Sequence, residues 1–320
     1  MDTNILTLNN GVEMPQVGLG TFLIPREKLS RTIAIAYEMG YRKFDTAWRY
    51  HNEDIIAKAL KDNRIPRENV FITTKVNADA LYLWGYQYGK HRIFNIPRRS
   101  IRQAIEQSFS NLQTDYIDLF LVHWPWPMYL SMYKCLSKLY KEGRIRAIGV
   151  CSCLPPHIDS LSDISDVVPA VNQFEISPIN AQRNLIDCCH RRGIIPEAMS
   201  TFSHFRSNEP RMEILDNEIL NKIAEAHHKS VVQVVLRWLV QQKVSIIPKT
   251  WEDKHLRENL ELFDFALSET EMSMISTLDK GKFLNYNPYN ALINLPRKYR
   301  KKITNIKTII SKQCYEFKTT

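Results

Sequence analysis

The feature that most constrains the fold is a regular alternation between short apolar, β-branched segments and longer segments with helical periodicity. Eight apolar segments follow one another along the chain, at residues 16–20, 41–45, 70–75, 116–123, 144–150, 168–174, 193–199 and 244–248. Most of them are followed by a segment of 3.6-residue periodicity, at residues 26–39, 53–63, 100–112, 132–142, 182–191 and 230–241. Ser100 is an expected N-cap, and Gly40, Gly143 and Gly193 follow expected helix ends. The alternation predicts an α/β protein.

The strands themselves indicate how the sheet is arranged. Residues 117–122 are almost continuously apolar, which is typical of a parallel strand buried on both faces, and eight strand–helix units can close a barrel. A doubly wound open sheet is the competing arrangement, but no G-x-G-x-x-G motif follows the first strand. We therefore predict a (β/α)8 TIM barrel with an N-terminal β-hairpin, extended loops and a C-terminal tail over the C-terminal face. Residues 1–280 are the expected barrel, and residues 281–320 the expected loop and basic tail.

Most of the positive charge lies at the C-terminal end. The formal net charge is +9, yet the segment from Pro296 onward holds eight Lys and Arg residues and only one acid, Glu316. The rest of the chain is nearly neutral and carries no recognised reader motif, so nucleic acid is not an expected partner. Residues 301–320 have the spacing of an amphipathic helix. They either pack on the barrel or contact a partner or an anionic surface.

Composition and cysteine usage exclude several other classes of protein. An apolar content of 44% and a charged content of 24% exclude a disordered or collagenous chain. No apolar stretch approaches the roughly 20 residues of a transmembrane helix, and residues 1–10 do not resemble a secretion signal. The six cysteines form no C-x-x-C pair and lack metal-ligand spacing. We therefore expect reduced thiols, no metal and a cytoplasmic location.

Polar residues stand where three of the predicted strands end. Asp45 closes the second strand, Lys75 the third and His123 the fourth, while Tyr50 follows Asp45 in the next loop. Singly, each has an ordinary interpretation as a turn, surface or packed residue. In a barrel, however, the C-terminal strand ends meet on one face, where active sites lie. The sequence therefore predicts that the four side chains converge there.

These four residue types suit the protonation of an oxyanion. A tyrosine hydroxyl has a pKa near about 10, so it releases its proton readily only if a cation stabilises the phenolate. Lys75 is the candidate cation, and the Asp45 carboxylate would keep it charged. His123 would hydrogen-bond an incoming carbonyl oxygen and fix its position.

The chain resembles the aldo-keto reductases from about Gly11 to Asp279. The matching motifs are residues 18–22 (GLGTF), 44–53 (FDTAWRYHNE), 121–125 (LVHWP), 148–150 (IGV), 171–175 (VNQFE) and 247–250 (IPKT). The resemblance implies a barrel that uses NADPH to reduce aldehydes or ketones. Hydride would pass from the nicotinamide, and Tyr50 would supply the proton. The family's catalytic tetrad matches Asp45, Tyr50, Lys75 and His123.

The resemblance also implies a cofactor site, in which this chain departs from the family pattern. The matching positions are Gly20, Thr21, Phe22, Asp45, Cys151, Ser152, Gln173, Met199, Ser200, Phe202, Lys249, Thr250, His255, Glu258 and Asn259. Cys151 and Ser152 replace the usual Ser-Asn pair at the carboxamide. Met199 replaces the stacking tyrosine, and His255 replaces the arginine at the 2′-phosphate. Histidine is only partly charged near neutral pH and lacks the bidentate geometry of arginine. We expect NADP(H), with NAD(H) also possible.

The expected substrate pocket is more polar than is usual in this family. Its predicted lining is Phe22, Trp48, Arg49, Asn77 and Trp124. Arg49 stands where an apolar residue is common, so it would favour a carboxylate or phosphate on the substrate. The alternative is that Arg49 turns to solvent or pairs with a nearby acid.

Two other functions remain open at this stage. One is a nucleotide-binding sensor or partner-binding subunit with little turnover, like the potassium-channel β subunits of the family. The other is physiological oxidation of an alcohol by the same residues in reverse. Residues 77–99 and the segment after Lys280 are loop or lid candidates that would shape the substrate site.

Overall fold

A computed structural model describes residues 5–77, 100–126, 128–202, 209–284 and 287–300. Eight parallel strands form one sheet in chain order, and its first and last members meet. They are β3 (Leu19–Gly20), β4 (Lys43–Asp45), β5 (Phe71–Val76), β6 (Ile117–Val122), β7 (Ile145–Cys151), β8 (Val171–Glu175), β9 (Ile195–Met199) and β10 (Ser245–Ile246). A parallel bridge joins Val17 to Ile246, and the Ile246 amide donates to the Gln16 carbonyl at 2.8 Å. The predicted barrel is confirmed, and the open sheet is excluded.

The predicted N-terminal hairpin is also present. It consists of β1 (Ile5–Thr7) and β2 (Glu13–Pro15), which pair antiparallel. Leu8 and Met14 are buried in the same apolar cluster as barrel residues of β5 to β8. The Asn9 side chain donates to the Pro169 carbonyl at 3.0 Å, just before β8. The hairpin therefore closes the N-terminal end of the barrel. An active site would have to lie at the opposite, C-terminal end.

Helices connect the barrel strands and cover the sheet. They are α1 (Arg26–Met39), α2 (Glu53–Asp62), α3 (Ile101–Leu112), α4 (Tyr129–Lys141), α5 (Pro155–Leu161), α6 (Arg183–Arg191), α7 (Glu209–Leu215), α8 (Glu218–Ala226), α9 (Val231–Gln241), α10 (Asp253–Glu258), α11 (Glu269–Ser276) and α12 (Arg297–Arg300). The predicted N-cap of α3 is confirmed, because the Ser100 hydroxyl accepts from the Gln103 amide in a capping box. Gly40, which ends α1, has a φ of 111°, a left-handed conformation that favours glycine.

Alternation along the strands divides the core into two layers. Phe44, Ile72 and Phe120 belong to the large cluster between sheet and helices. Leu119 and Leu121 belong to a smaller cluster with the buried residues of the hairpin. The inner positions are not all apolar, because Lys43, Asp45 and Lys75 are buried there. Lys75 pairs with Asp45, and Lys43 pairs with Glu197. Strand periodicity thus places charged side chains at the centre of the barrel.

Residues 287–300 pack against α5. His157 is buried and its Nε2 lies 3.2 Å from the Ala291 carbonyl, while the Leu154 amide donates to its Nδ1 at 3.2 Å. Because Nδ1 accepts, Nε2 carries the proton and donates to Ala291. Of the loop candidate at residues 77–99, all but Asn77 lies outside the described residues, as does the tail at 301–320. The division at residue 280 stays a prediction.

Candidate active site

The four residues predicted to converge lie together at the C-terminal ends of neighbouring strands. Asp45 ends β4, Lys75 lies in β5, and His123 follows β6 directly. Tyr50 lies in a single 3-10 turn, Trp48–Tyr50, just after β4. Strands β4, β5 and β6 are adjacent in the sheet. The barrel topology therefore brings residues 30 or more positions apart onto one rim.

Asn52 holds the loop that carries Tyr50. Its amide nitrogen donates to the backbone and side-chain oxygens of Thr21, both at 3.2 Å. Its amide oxygen accepts from the Thr46 hydroxyl at 2.6 Å. Asn52 is buried, so these bonds are not exchanged for bonds to water. Asn52 was not among the predicted site residues, although its place in the 44–53 motif was a signal.

A buried ion pair forms the base of the site. Lys75 Nζ lies 2.7 Å from each Asp45 carboxylate oxygen and donates to the Thr46 carbonyl at 2.8 Å. Burial raises the pKa of Asp45, and the Lys75 charge opposes that rise. Burial acts against the charge of Lys75, but the nearby Asp45 carboxylate and Tyr50 raise its pKa above the ordinary value. Lys75 is therefore an ammonium group throughout the neutral range.

The Tyr50 ring lies close to this ion pair and to the Phe22 ring. Lys75 Nζ is 5.1 Å from the centre of the Tyr50 ring, and the Phe22 ring centre is 4.6 Å away. Burial raises the pKa of Tyr50 to about 12, although the Lys75 charge acts to lower it. The hydroxyl is therefore protonated at neutral pH, and a cation lies beside the position where a phenolate would form.

His123 lies edge-on to Tyr50, with ring centres 5.8 Å apart, and stacks on Trp124 at 5.6 Å. Its buried Nδ1 has no hydrogen-bond partner among the residues that the structure describes. Burial, followed by the charges of Lys75 and Arg49, lowers the pKa of His123 well below the usual value. The imidazole is therefore neutral near pH 7, so it retains one N–H donor and one acceptor nitrogen.

Gln173 links the ion pair to a second buried pair that sequence analysis missed. Its Nε2 donates to Asp45 at 3.0 Å and to Glu197 at 2.8 Å. Glu197 lies 2.6 Å from Lys43 Nζ and accepts from the Ser245 hydroxyl at 2.7 Å. The available signal was the presence of Lys43 and Glu197 inside apolar strand segments.

The arrangement around Gln173 fits the expected nicotinamide carboxamide. Its amide nitrogen is occupied by two carboxylates, so its Oε1 is turned the other way, where the Cys151 thiol lies at 4.0 Å. An amide oxygen with so weak a donor can accept from a carboxamide NH₂. Cys151 is buried at the end of β7, and Ser152 follows it with a φ of 51°. Gln173, Cys151 and Ser152 therefore border the position expected for the carboxamide.

The other positions implied for the cofactor lie around the same end of the barrel. Met199 ends β9, Ser200 follows it with a φ of 55°, and Phe202 packs against the main core. Gly20 and Thr21 end the first barrel strand, and the Gly20 amide donates to the Pro248 carbonyl at 3.2 Å.

The predicted 2′-phosphate and adenine positions follow β10. A Cβ atom on Gly20 would lie 3.8 Å from the Lys249 Cβ atom, so Lys249 borders the first barrel strand. Thr250 and Asn259 are buried, whereas His255 is exposed on α10. Glu258 lies 3.7 Å from Lys254. These five residues lie in residues 249–259, which follow β10 and include α10.

The predicted substrate residues surround the mouth of the site. Phe22 and Trp48 are half-buried, Trp124 extends the His123 stack, and Arg49 is exposed. Asn77 follows β5 and is buried. Trp126, which was not predicted, stacks on Trp124 with ring centres 5.9 Å apart.

Two kinds of feature are absent from the described ranges. No group of three or more His, Cys, Asp or Glu residues there could hold a metal ion. None of the helices found in those ranges combines the length and apolarity of a membrane span.

Comparisons with known proteins identify the family. The Aldo/keto reductase family model matches residues 16–280. Glyoxal reductase of Bacillus subtilis is 39% identical over 284 residues, which cover 88% of this chain and 95% of that protein. Morphine 6-dehydrogenase of Pseudomonas putida is 37% identical, with 89% and 94% covered. The crystal structure of a Bombyx mori aldo-keto reductase in complex with NADP has a TM-score of 0.76 at 27% identity, covering 89% of this chain and 95% of that one. The chain therefore belongs to the aldo-keto reductase family, as its motifs predicted.

Proposed function

We propose that this protein reduces an aldehyde or ketone to an alcohol with NADPH, and that Tyr50 is the proton donor. The observation that carries the proposal is the buried Lys75–Asp45 ion pair at 2.7 Å, with Lys75 Nζ 5.1 Å from the Tyr50 ring centre. The Bacillus relative is named for glyoxal reduction, and the Bombyx mori enzyme was solved with NADP. Both support this class of reaction.

The proton step follows from the charges around Tyr50. A pKa of about 12 keeps the hydroxyl protonated at neutral pH. As the carbonyl oxygen gains negative charge, Tyr50 donates its proton and becomes a phenolate, which the Lys75 ammonium stabilises. Neutral His123 can donate a hydrogen bond to the same oxygen without competing as an acid. NADPH, when bound, supplies the hydride.

Cofactor positioning depends on the rigid centre of the barrel. Gln173 is oriented by Asp45 and Glu197, so its oxygen is directed toward the carboxamide position. Lys249 and Thr250 would bind the 2′-phosphate, and Met199 would pack on the nicotinamide ring. His255 is the weakest of these assignments, because an imidazole lacks the permanent charge and the bidentate geometry of an arginine.

The same pKa favours reduction over oxidation at neutral pH. Oxidation of an alcohol needs Tyr50 as a base, and with a pKa of about 12 almost none of it is phenolate at pH 7. The relative from Pseudomonas putida is named as a dehydrogenase, so the reverse direction belongs to the chemistry of such a site. We expect oxidation by this protein to accelerate as the pH rises.

The substrate would carry an anionic group that Arg49 binds. Arg49 is exposed beside the site, and its charge contributes to the lowered pKa of His123. A guanidinium group so placed favours a carboxylate or phosphate on the substrate. In Arg49→Leu, kcat/KM should fall for a carboxylated aldehyde and stay nearly constant for its neutral analogue. Arg102→Leu, which loses a surface pair with Glu142, is the control. An equal fall on both aldehydes would eliminate this role.

The decisive experiment follows NADPH oxidation by a panel of neutral and carboxylated aldehydes and ketones. Tyr50→Phe should lower kcat by at least about 100-fold. Tyr37→Phe is the matched control, because its hydroxyl contacts only the Asn69 side chain among the described residues, at 3.3 Å. Tight NADPH binding with no turnover in the unmodified protein would instead identify the sensor or partner-binding function.

The contact predicted for the basic tail has no support from the described part of the chain, which ends at residue 300. It stays a prediction, as does the cytoplasmic location. Deletion from Lys301 onward separates the alternatives. Lost stability would indicate packing on the barrel, and a lost partner or vesicle interaction would indicate docking.

A further inference from the structure

Two lysines from distant parts of the chain approach one indole ring. Lys249 Nζ lies 4.9 Å from the centre of the Trp251 ring, and Lys28 Nζ lies 5.1 Å from the same centre. Lys249 follows β10, whereas Lys28 lies in the first turn of α1. Barrel closure places these elements side by side, so Trp251 has an ammonium group from each.

The backbone around this cluster is held in place. The Arg31 guanidinium, three residues beyond Lys28 on α1, makes a bidentate pair with Asp253 of α10 at 2.8 and 3.0 Å. Residues three apart on a helix share a face. Arg31 therefore fixes α1 against the start of α10, and Lys28 is directed toward Trp251 by the same docking.

The cluster has an excess of positive charge. Neither Lys28 nor Lys249 forms an ion pair with any acid in the described ranges, and the neighbouring Asp253 is occupied by Arg31. Burial, followed by the charge of Arg211 on α7, lowers the pKa of Lys249. Lys28 and Lys249 therefore have no acidic partner among the described residues, and a bound anion would supply the missing negative charge.

We propose that Lys28 is a coenzyme-specificity residue, which together with Lys249 binds the 2′-phosphate of NADPH beside the Trp251 ring. The inference rests on the proposed function and deepens it. It accounts for a departure of this chain from its family, because the arginine expected at the 2′-phosphate is replaced by His255, which is exposed on α10. Lys28 would supply from α1 the permanent charge that position 255 lacks.

The test measures nucleotide binding by titration calorimetry, without turnover. Adenosine 2′,5′-bisphosphate and adenosine 5′-monophosphate are compared in the unmodified protein and in Lys28→Ala, Lys28→Arg and Lys58→Ala. Lys58 is the matched control, because it is an exposed helical lysine that pairs with Asp62. We expect Lys28→Ala to weaken bisphosphate binding about fivefold at low ionic strength. Monophosphate binding should not change, and Lys28→Arg should retain most of the affinity.

Failures of the two proposals are distinguishable. If the unmodified protein binds the bisphosphate no more tightly than the monophosphate, the proposed NADPH preference fails. If it discriminates between them but Lys28→Ala changes neither affinity, only the role of Lys28 is overturned. An equal loss for both nucleotides also overturns that role, because it would assign Lys28 to packing against Trp251.

Discussion

Two lysine–carboxylate pairs are buried inside the barrel, and both use strand β4. Asp45 pairs with Lys75 at 2.7 Å, and Lys43, two residues before Asp45, pairs with Glu197 at 2.6 Å. Ser245 donates to Glu197, so that pair is enclosed by polar partners from the barrel wall. Lys75 instead borders the Tyr50 ring. Similar ion pairs can thus serve different purposes, according to which neighbour lies next to the lysine.

Gln173 connects the two pairs, because its amide nitrogen donates to both carboxylates. A buried ion pair is weak evidence for stability, because desolvation offsets much of the attraction. We infer that the Lys43–Glu197 pair orients Gln173 and Asp45, and that the Lys75–Asp45 pair prepares Tyr50. The four predictions below test this division, in order of decreasing effect.

The largest effect should come from Lys75→Met. Without the ammonium group, the Tyr50 phenolate loses its stabilising cation, and kcat should fall about 100- to 10,000-fold. Lys43→Met should lower kcat per folded molecule less than about tenfold, because Lys43 does not contact Tyr50. Steady-state kinetics after correction for the folded fraction, measured by circular dichroism, makes the comparison. Equal losses in the two variants would remove the distinction.

Glu197→Gln should lower the free energy of unfolding by about 3–5 kcal/mol, because it leaves the buried Lys43 charge without its partner. The double variant Lys43→Met/Glu197→Leu should recover most of that loss, since no buried charge remains. Urea unfolding measures both. A double variant no more stable than Glu197→Gln would show that the pair itself, rather than the unpaired charge, matters.

The two carboxylates should also respond oppositely to acid. The pKa of Asp45 is raised by burial, so its contribution to stability is present at low pH and is lost as the pH rises. The pKa of Glu197 is lowered, chiefly because Lys43 outweighs the effect of burial. Its contribution is present above the ordinary value of 4.5 and is lost as the pH falls below it. Protonation of Asp45 removes the charge that pairs with Lys75, whereas protonation of Glu197 removes the charge that pairs with Lys43. As the pH falls, activity should therefore decline at a higher pH than the stability of the fold does.

Kinetics and urea unfolding across the acid range test this order. Asp45→Asn should remove the acid limb of kcat while the acid limb of unfolding remains. If kcat and stability declined over the same acid range in the unmodified protein, this predicted order would be wrong.

The smallest effect should come from Ser245→Ala. The hydroxyl donates to Glu197 at 2.7 Å, and its loss should cost about 1 kcal/mol. Catalysis should not change measurably, because Lys43 still pairs with Glu197. Thr46→Val, which removes a bond to Asn52 in the Tyr50 loop, costs similar stability but should lower kcat.

Much of the fold was predictable because its signals are local. Strand and helix periodicity depend on neighbouring residues, so all eight barrel strands and six of the helices were identified. Six helices were not predicted, and each has nine residues or fewer, which gives a weaker period: α5, α7, α8, α10, α11 and α12. Predicted helix starts also shifted slightly, as for α4, which begins at Tyr129 rather than Met132.

The site residues also divide into those that local sequence signals identify and those that they do not. Asp45, Lys75 and His123 were identified because each directly ends a strand or follows one, and strand ends share a face. Lys43 and Glu197 were not, because a charged residue in a strand normally indicates a solvent-exposed position. Only the closed barrel shows that these two residues, 154 positions apart, face each other.

The order of strands and helices and the set of polar residues at the rim follow from local sequence, because periodicity and strand ends are properties of adjacent residues. Only in the folded chain does Asp45 meet Lys75 and Lys43 meet Glu197, and only there do Lys28 and Lys249 both approach the Trp251 ring. Electrostatic interactions depend on distance and on exclusion of water. Neither is set until the last barrel strand closes on the first.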